Sequence, residues 1–265
     1  LYRMGSSRRN TLYATVSKGY KAGGFNTQMF SDVLQQQVMK QMGFGSLYDV
    51  ADVVTYKPEK SWNYEVGAHL STPSHKVQAD LALFYIDCRD QQLTVFPEGQ
   101  VTGRLMTNAG RTRSFGGEAS LLATLWRNLD LQVAYGYTRA TFVKFDTGKA
   151  DYAGNFIPYA PQHTLYAGAS YTLRTGWNWL EYVIFRVAAN GAGRIYWNEA
   201  NTFSQPFYAL LEASIRFEHR HWAVDVWGRN LTDTRYDTFY FMSIGNSFLQ
   251  RGRPRTFGVS LSITL

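Results

Sequence analysis

The chain has 265 residues, with 27 Lys and Arg against 20 Asp and Glu, a formal net charge of +7. Its length suits one large β domain or two small ones. At 45% hydrophobic residues and a mean hydropathy of -0.29 it holds no run of about 18 apolar residues, which excludes a transmembrane helix but not a membrane strand, which needs only about 9–11 residues, half of them apolar. Aromatic residues make up 16%, with 18 Tyr, 17 Phe and 7 Trp, a composition that suits a membrane–water boundary or an aromatic-rich soluble sandwich. The basic residues scatter through turns and loops (Arg8, Arg9, Lys76, Arg127, Arg220, Arg251, Arg253, Arg255) instead of lining one face, so no nucleic acid partner is expected. The charge suits anionic lipid headgroups or an acidic ligand. The single cysteine, Cys88, allows no internal disulfide and reads as a small strand residue. The polar start lacks the apolar segment of a signal peptide. Leu1 and Tyr2 are expected to end an earlier strand, with Ser6 to Asn10 as the turn after it.

In chain order, Thr11 to Tyr20 alternates, with Leu12, Ala14 and Val16 on one face. A long polar segment follows to about Tyr56, with room for a short helix near Asp32 to Gln41. Lys57 to Ser71 places Trp62, Tyr64, Val66, Ala68 and Leu70 opposite Asn63, Glu65, Gly67, His69 and Ser71. After a turn at Thr72 to His75, Lys76 to about Phe96 alternates again. A turn at Pro97 to Gln100 leads to Val101–Leu125, and one near Arg127 to Leu129–Lys144. A Gly-, Asp- and aromatic-rich loop reaches Pro158. Strands are then expected at Tyr159–Leu173, Trp179 to about Arg194, Phe207–Phe217 and Trp222–Arg229. Asn230 to Gly252 is a long loop or a strand extended past the apolar band. In the last stretch Phe257, Val259, Leu261, Ile263 and Leu265 alternate with small polar residues.

About ten two-faced strands therefore recur, with short turns near Pro73, Arg127, Gly176 and Arg220 on one side. Long connections near 21–56, 145–158, 195–205 and 231–252 lie on the other, Pro97–Gln100 excepted. Loops sorted by length in this way are the layout of an outer-membrane barrel with the periplasm on the short side. Mid-strand charges on the polar faces (Glu65, Asp80, Glu118, Glu212, Arg216, Asp225, Arg229) fit a watery lumen, or the wet side of a soluble sheet, but not a dry core.

No nucleophile–base pair stands out for catalysis. His69, His75 and His163 are scattered, and His219 and His221 read as a surface pair on a turn. Gly23-Gly24 lacks the Lys-Ser/Thr of a phosphate loop. No cofactor or metal is expected. Loop residues Tyr196, Trp197, Asn198, Tyr240 and Phe241 could stack on a ligand or belong to an aromatic girdle at the membrane surface.

Six short segments resemble, in order, those of TonB-dependent outer-membrane receptors: Leu12–Asn26; Pro58-Glu59 through Glu65-Val66-Gly67; Asn108–Arg111 with Gly116-Gly117-Glu118; Tyr159–Thr164; Asn230–Asp233 with Tyr236; and Gly252–Phe257. The resemblance implies an all-β fold: antiparallel transmembrane strands, about ten of a roughly 22-stranded barrel. Residues 1–265 would be the C-terminal part of that barrel domain. The family's N-terminal plug and TonB box are not seen in these residues, and the last residue is Leu265 where the family commonly has an aromatic. The implied function is TonB-dependent import of a scarce nutrient, a ferric siderophore before cobalamin, haem or a glycan. This chain would supply wall and extracellular loops, with Phe257, Val259, Leu261, Ile263 and Leu265 on the barrel-closing strand. The implied partners are outer-membrane lipid and lipopolysaccharide, the TonB complex through the plug, and the barrel-assembly machinery. A passive porin or structural barrel, and a soluble aromatic-rich β-sandwich binding module, are the alternatives.

Overall fold

A computed structural model describes residues 2–4, 10–27, 38, 40–43, 54–95, 105–126, 128–147, 150–243 and 246–264. The strands are β1 (Tyr2–Met4), β2 (Asn10–Lys21), β3 (Gly24–Phe25), β4 (Thr55–Tyr56), β5 (Glu59–Ser71), β6 (Val77–Val95), β7 (Leu105–Leu125), β8 (Leu129–Lys144) and β9 (His163–Trp177). They continue as β10 (Leu180–Gly193), β11 (Ile195–Tyr196), β12 (Ser204–Gln205), β13 (Tyr208–His219), β14 (Trp222–Arg229), β15 (Asp237–Ser243), β16 (Asn246–Arg251) and β17 (Thr256–Ile263). Eleven of them form one antiparallel sheet in the order β1-β2-β5-β6-β7-β8-β9-β10-β13-β14-β17. Each strand pairs with its predecessor in that series, so the sheet is an open meander. The pairs β3/β4, β11/β12 and β15/β16 are separate two-stranded ribbons inside the long connections.

Side-chain parity sets what the sheet can do. Leu12, Val66, Leu83, Leu121, Val133, Ala169, Val187, Ile215, Val226 and Val259 share one face, as the register between neighbouring strands shows. That apolar face is open: Val66 is 53% exposed, Leu83 63%, and Leu261 64%. A soluble β-sandwich would pack these side chains against a second sheet. Among the described residues no second sheet covers them. The polar face carries Glu65, Asp80, Glu118, Glu212, Arg216 and Asp225. An apolar exterior on a polar interior is the arrangement a bilayer stabilises.

The contiguous cluster of buried apolar residues lies at the long-loop end, not between layers. Ala109, Ala140, Phe142, Phe145 and Ile157 form it, with Leu93, Tyr152 and Ala160 packed alongside. Phe142 is 1% exposed, and its ring is 4.9 Å from that of Phe145. This cluster folds the 145–160 connection onto the ends of β7 and β8. At the opposite end the turns are tight, with His75 at φ 55°, Trp126 at φ 51° and Gly176 at φ 76°. Trp126 is 80% exposed there, and Trp177 stacks on Trp179 at 5.3 Å.

The strand boundaries match the alternation closely, with informative departures. β9 starts at His163, not Tyr159, because Tyr159 sits at φ 63° and Pro161 has no N–H to donate. It then runs on to Trp177, which shortens the following turn. Residues 230–252 are not a single extension of the wall. They hold the β15/β16 ribbon, paired from Asp237↔Arg251 to Ser243↔Asn246. Tyr2 does belong to a preceding strand, paired with Leu12. The expected turn at Pro97–Gln100, the turn residue Arg127, Leu265 and most of the expected helix lie outside the described residues. Of that helix, Val38, Lys40 and Gln41 are helical.

Candidate ligand-binding surface

The polar face of the sheet is a continuous charged wall. On β2, β5 and β6 the Tyr13 hydroxyl donates to Glu65 Oε1 at 2.8 Å, and His69 Nδ1 lies 2.7 Å from Asp80 Oδ1, which shares its carboxylate with the Ser120 hydroxyl at 3.0 Å. Glu118 completes an acid-rich side, around a cavity of about 530 Å3. On β13 and β14 the Arg216 guanidinium donates through Nε to Glu218 and through Nη1 to Asp225, both at 2.6 Å. Arg186, Glu212, Asp225 and Arg229 line a second cavity of about 510 Å3 beside them. The Arg229 guanidinium sits 4.8 Å from the centre of the Trp227 ring, and Trp227 Nε1 donates to Ser260 Oγ at 3.1 Å. Charges of this density are stable against water or a polar body, not against lipid.

Above the wall the long connections knit into an aromatic assembly. Tyr159 is its hub. Its backbone N–H donates to the Tyr196 carbonyl at 2.8 Å, and its hydroxyl to the Tyr240 carbonyl at 3.1 Å. Its ring lies 5.6 Å from Trp197 and stacks on Phe239 at 5.5 Å. Burial, and then the nearby Glu199, push the Tyr159 phenol up to about 12. Burial likewise raises the Glu199 carboxyl above the usual carboxylate range. Phe203 stacks on Tyr240 at 4.6 Å.

The five loop residues singled out in the sequence fall in this assembly, in different roles. Trp197 and Tyr240 are buried and pack against their neighbours. Tyr196 stacks on Phe156 at 5.3 Å, and Phe156 in turn lies 5.6 Å from Arg139, which shares its β8 parity with the outward Tyr135 and Tyr137. Asn198 caps its own loop: its Oδ1 accepts from Thr202 N at 3.0 Å and Phe203 N at 3.3 Å. Phe241 stacks on Phe248 at 4.9 Å and 11° on the β15/β16 ribbon. Tyr159, Phe203 and Phe239, absent from the sequence-based selection, bring the loops together. The only local signal for Tyr159 was its place between Pro158 and Pro161, since its partners come from loops distant in the chain.

The recurring polar motifs are structural clamps. Asn108 Oδ1 accepts from Lys57 N at 2.7 Å, and its Nδ2 donates to Lys57 O at 3.0 Å and Asp90 O at 2.7 Å. Glu59 Oε2 accepts from Gln92 N at 2.8 Å. Asn26 brackets the Met106 backbone, donating to its carbonyl at 2.7 Å and accepting from its N–H at 2.9 Å. Among the described residues no group of three or more His, Cys, Asp or Glu could hold a metal ion. The His219 and His221 rings stand 5.8 Å apart, with Trp222 6.0 Å from His219.

Residues 7–231 match the family profile described as "TonB dependent receptor-like, beta-barrel". The chain is 27% identical over 258 residues to the pesticin receptor of Yersinia pestis, covering 95% of this chain and 33% of that protein. It thus spans about a third of the length of the curated relatives it matches. Among solved structures, the ferric yersiniabactin uptake receptor FyuA from Yersinia pestis superposes with a TM-score of 0.75 at 23% identity, over 99% of this chain and 36% of that one. BauA, the ferric preacinetobactin receptor from Acinetobacter baumannii, gives a TM-score of 0.65 at 17% identity, over 97% and 34%. These proteins are receptors. With its apolar exterior, its charged interior and this match over most of its length, the chain belongs to the TonB-dependent receptor β-barrel family and is an outer-membrane protein.

Proposed function

We propose that the chain forms the C-terminal part of the barrel of a TonB-dependent transporter that imports a scarce nutrient, with a ferric siderophore as its cargo. The observation that carries this is the inverted sheet: eleven consecutive antiparallel strands, apolar outside and densely charged inside, with both edges open among the described residues. Such a sheet needs further strands to close, and a polar body or water within. The relatives support the cargo class, being a pesticin receptor and receptors for ferric yersiniabactin and ferric preacinetobactin. On this reading a plug domain elsewhere in the whole protein fills the lumen and engages TonB. The chain carries no catalytic role.

The ligand would meet the loop assembly of 145–162, 194–207 and 230–255. Tyr196, Asn198 and Phe241 are half-buried and offer surface to it, while buried Trp197 and Tyr240 position the loops. The test is growth of a strain lacking the full-length gene, under iron limitation, fed a panel of ferric siderophores. Loss of growth on one siderophore, restored by the gene only when TonB is present, is the expected result. Restoration without TonB would point to a passive porin, and normal growth of the deletion strain on every siderophore would remove the cargo class.

A further inference from the structure

The inner face of the sheet is divided by charge. On β5–β8, below Glu59 and Lys144 at the long-loop end, the inward Asp, Glu, Lys and Arg residues are all acids: Glu65, Asp80, Glu118 and Asp130. From β5 to β17 the inward arginines of the wall are confined to β9–β14. One register row runs through Ser170, Arg186, Ser214 and Trp227. Arg229 stands two residues from that row toward the long loops, and Arg174, opposite Tyr182, four residues from it toward the short turns. Arg216 lies between Arg186 and Arg174 in register and is already held by Glu218 and Asp225. Arg174, Arg186 and Arg229 are exposed, and among the described residues none of them has an ion-pair partner. At the usual rise and strand separation, Arg229 and Arg186 stand about 12 Å apart along the wall, and Arg186 and Arg174 about 14 Å.

Three free guanidinium groups thus descend one arc of the lumen, beside an arc that is acidic. Arginine on a pore wall favours anions, whereas Asp and Glu repel them. The planar guanidinium also donates two hydrogen bonds at once to a carboxylate or similar oxyanion, and it is weakly hydrated. Passage needs contacts strong enough to admit the solute and weak enough to release it. Glu212 and Asp225 line the same cavity as Arg186 and Arg229, so no step of the series is a deep anion trap. Arg229 rests 4.8 Å from the Trp227 ring, at the end nearest the loops. The inward arginine with a fixed structural bond, Arg216, is paired within the wall itself; the other three are not, and they are spread along the strands. We propose that Arg229, Arg186 and Arg174 form a track on the lumen wall along which an anionic ferric chelate passes from the loops toward the short turns. The inference rests on the transport reading above and adds the sign of the cargo's charge and the side of the lumen it follows.

The test uses the full-length receptor in cells that lack other ferric chelate receptors. The probes are iron-55 complexes of the growth-panel siderophores, with ferric citrate as the small anionic member and ferric desferrioxamine B as the cationic one. The chelate taken up should migrate as an anion in electrophoresis. Arg186→Gln/Arg174→Gln is expected to slow its TonB-dependent uptake about tenfold, with binding to de-energised cells unchanged. Arg186→Glu should be slower than Arg186→Gln, and Arg186→Lys/Arg174→Lys should retain most of the rate, which separates a lost charge from a damaged fold. The control Lys60→Gln/Arg89→Gln removes as many cations from the outer face and should transport as the parent does. Normal uptake by the double Gln variant, an equal loss in the control, or a cationic chelate as the transported species would each overturn the proposal. TonB-independent entry of vancomycin through the double Gln variant would overturn it too, by showing that the arginines hold a plug in place. If the parent takes up no chelate in a TonB-dependent way, the transport reading itself fails; if parent and variants take it up alike, only the track does.

Discussion

Tyr159 donates its hydroxyl hydrogen to the carbonyl of Tyr240 at 3.1 Å, and so joins two connections 81 residues apart in the chain. The bond is neutral and its acceptor belongs to a buried residue, so Tyr159→Phe should cost about 1 kcal/mol of local stability while keeping the ring contacts. Hydrogen exchange should quicken in 194–207 and 236–251 and stay unchanged in the wall. An unaltered exchange pattern would show that the rings alone hold the loops.

The same residue sets a pH dependence. In the docked loops burial and Glu199 push its phenol up to about 12, whereas a tyrosine in an open chain titrates near 10. The docked form therefore holds the proton more tightly. Its contribution is intact below about pH 10 and is lost as the pH climbs to about 12. Loop exchange rates in the parent should rise across that window more than in Tyr159→Phe. Parallel pH profiles for the two proteins would contradict it.

Adjacent positions on β13 test the two faces of the wall. Ile215 faces outward between Phe185 and Val226, and Ser214 faces inward between Arg186 and Trp227. Ile215→Asp puts a carboxylate into lipid, at a cost of about 1–3 kcal/mol in the folded barrel. Ser214→Asp places one beside Arg186. Heat-modifiable migration of the full-length protein should show impaired assembly for the first and near-normal assembly for the second. Ser260 is a poorer inward probe, since its hydroxyl takes the Trp227 N–H and its register partner is Asp225.

That contrast also marks what the sequence could show. A period of two, repeated in strand after strand, assigns Ile215 and Ser214 to opposite faces without any coordinates. Tyr159 was read as a strand residue instead, because nothing local reveals φ 63° or partners in two distant loops. The cations gave the opposite lesson. Read along the chain they scatter, yet register places Lys60, Arg89 and Arg111 side by side. Alternation fixes the face of a residue; which residues stand next to it depends on strand offset, and loop lengths did not supply that.

Arg216 holds two carboxylates at once, Glu218 and Asp225, each at 2.6 Å. All three side chains are partly shielded on the inner wall. Arg216→Met would leave the carboxylates facing each other, with an expected loss of about 1–3 kcal/mol. Arg216→Lys should recover only part of it, because an ammonium lacks the fork that reaches both acids. Adding Asp225→Asn to Arg216→Met should restore much of the stability by removing the repulsion. If the double variant is no more stable than the single one in urea titrations of the full-length barrel, the pair is not coupled through Arg216.

Asn230 anchors the last connection before the final strand. It is 5% exposed and sits at φ 49°, a conformation asparagine tolerates better than most residues. Its Nδ2 donates to Thr234 O at 3.0 Å and Arg253 O at 3.1 Å, while its Oδ1 accepts from Thr234 N at 2.8 Å. Asp233 adds a contact by accepting from Arg255 N at 3.1 Å. The Asn-Leu-Thr-Asp motif therefore ties the end of β14 to the start of β17, and the carbonyl it leaves unpaired in Asn230→Ala is part-buried. That substitution loses three hydrogen bonds and adds backbone strain, together about 2–4 kcal/mol. Asn230→Gly relieves the strain but not the lost bonds, so its loss should fall between that of the alanine variant and zero. Protease cleavage within 230–255 of the full-length receptor in outer membranes should follow the order parent, glycine variant, alanine variant. Equal cleavage of the alanine and glycine variants would mean that the hydrogen bonds, and not the φ value, account for the whole effect.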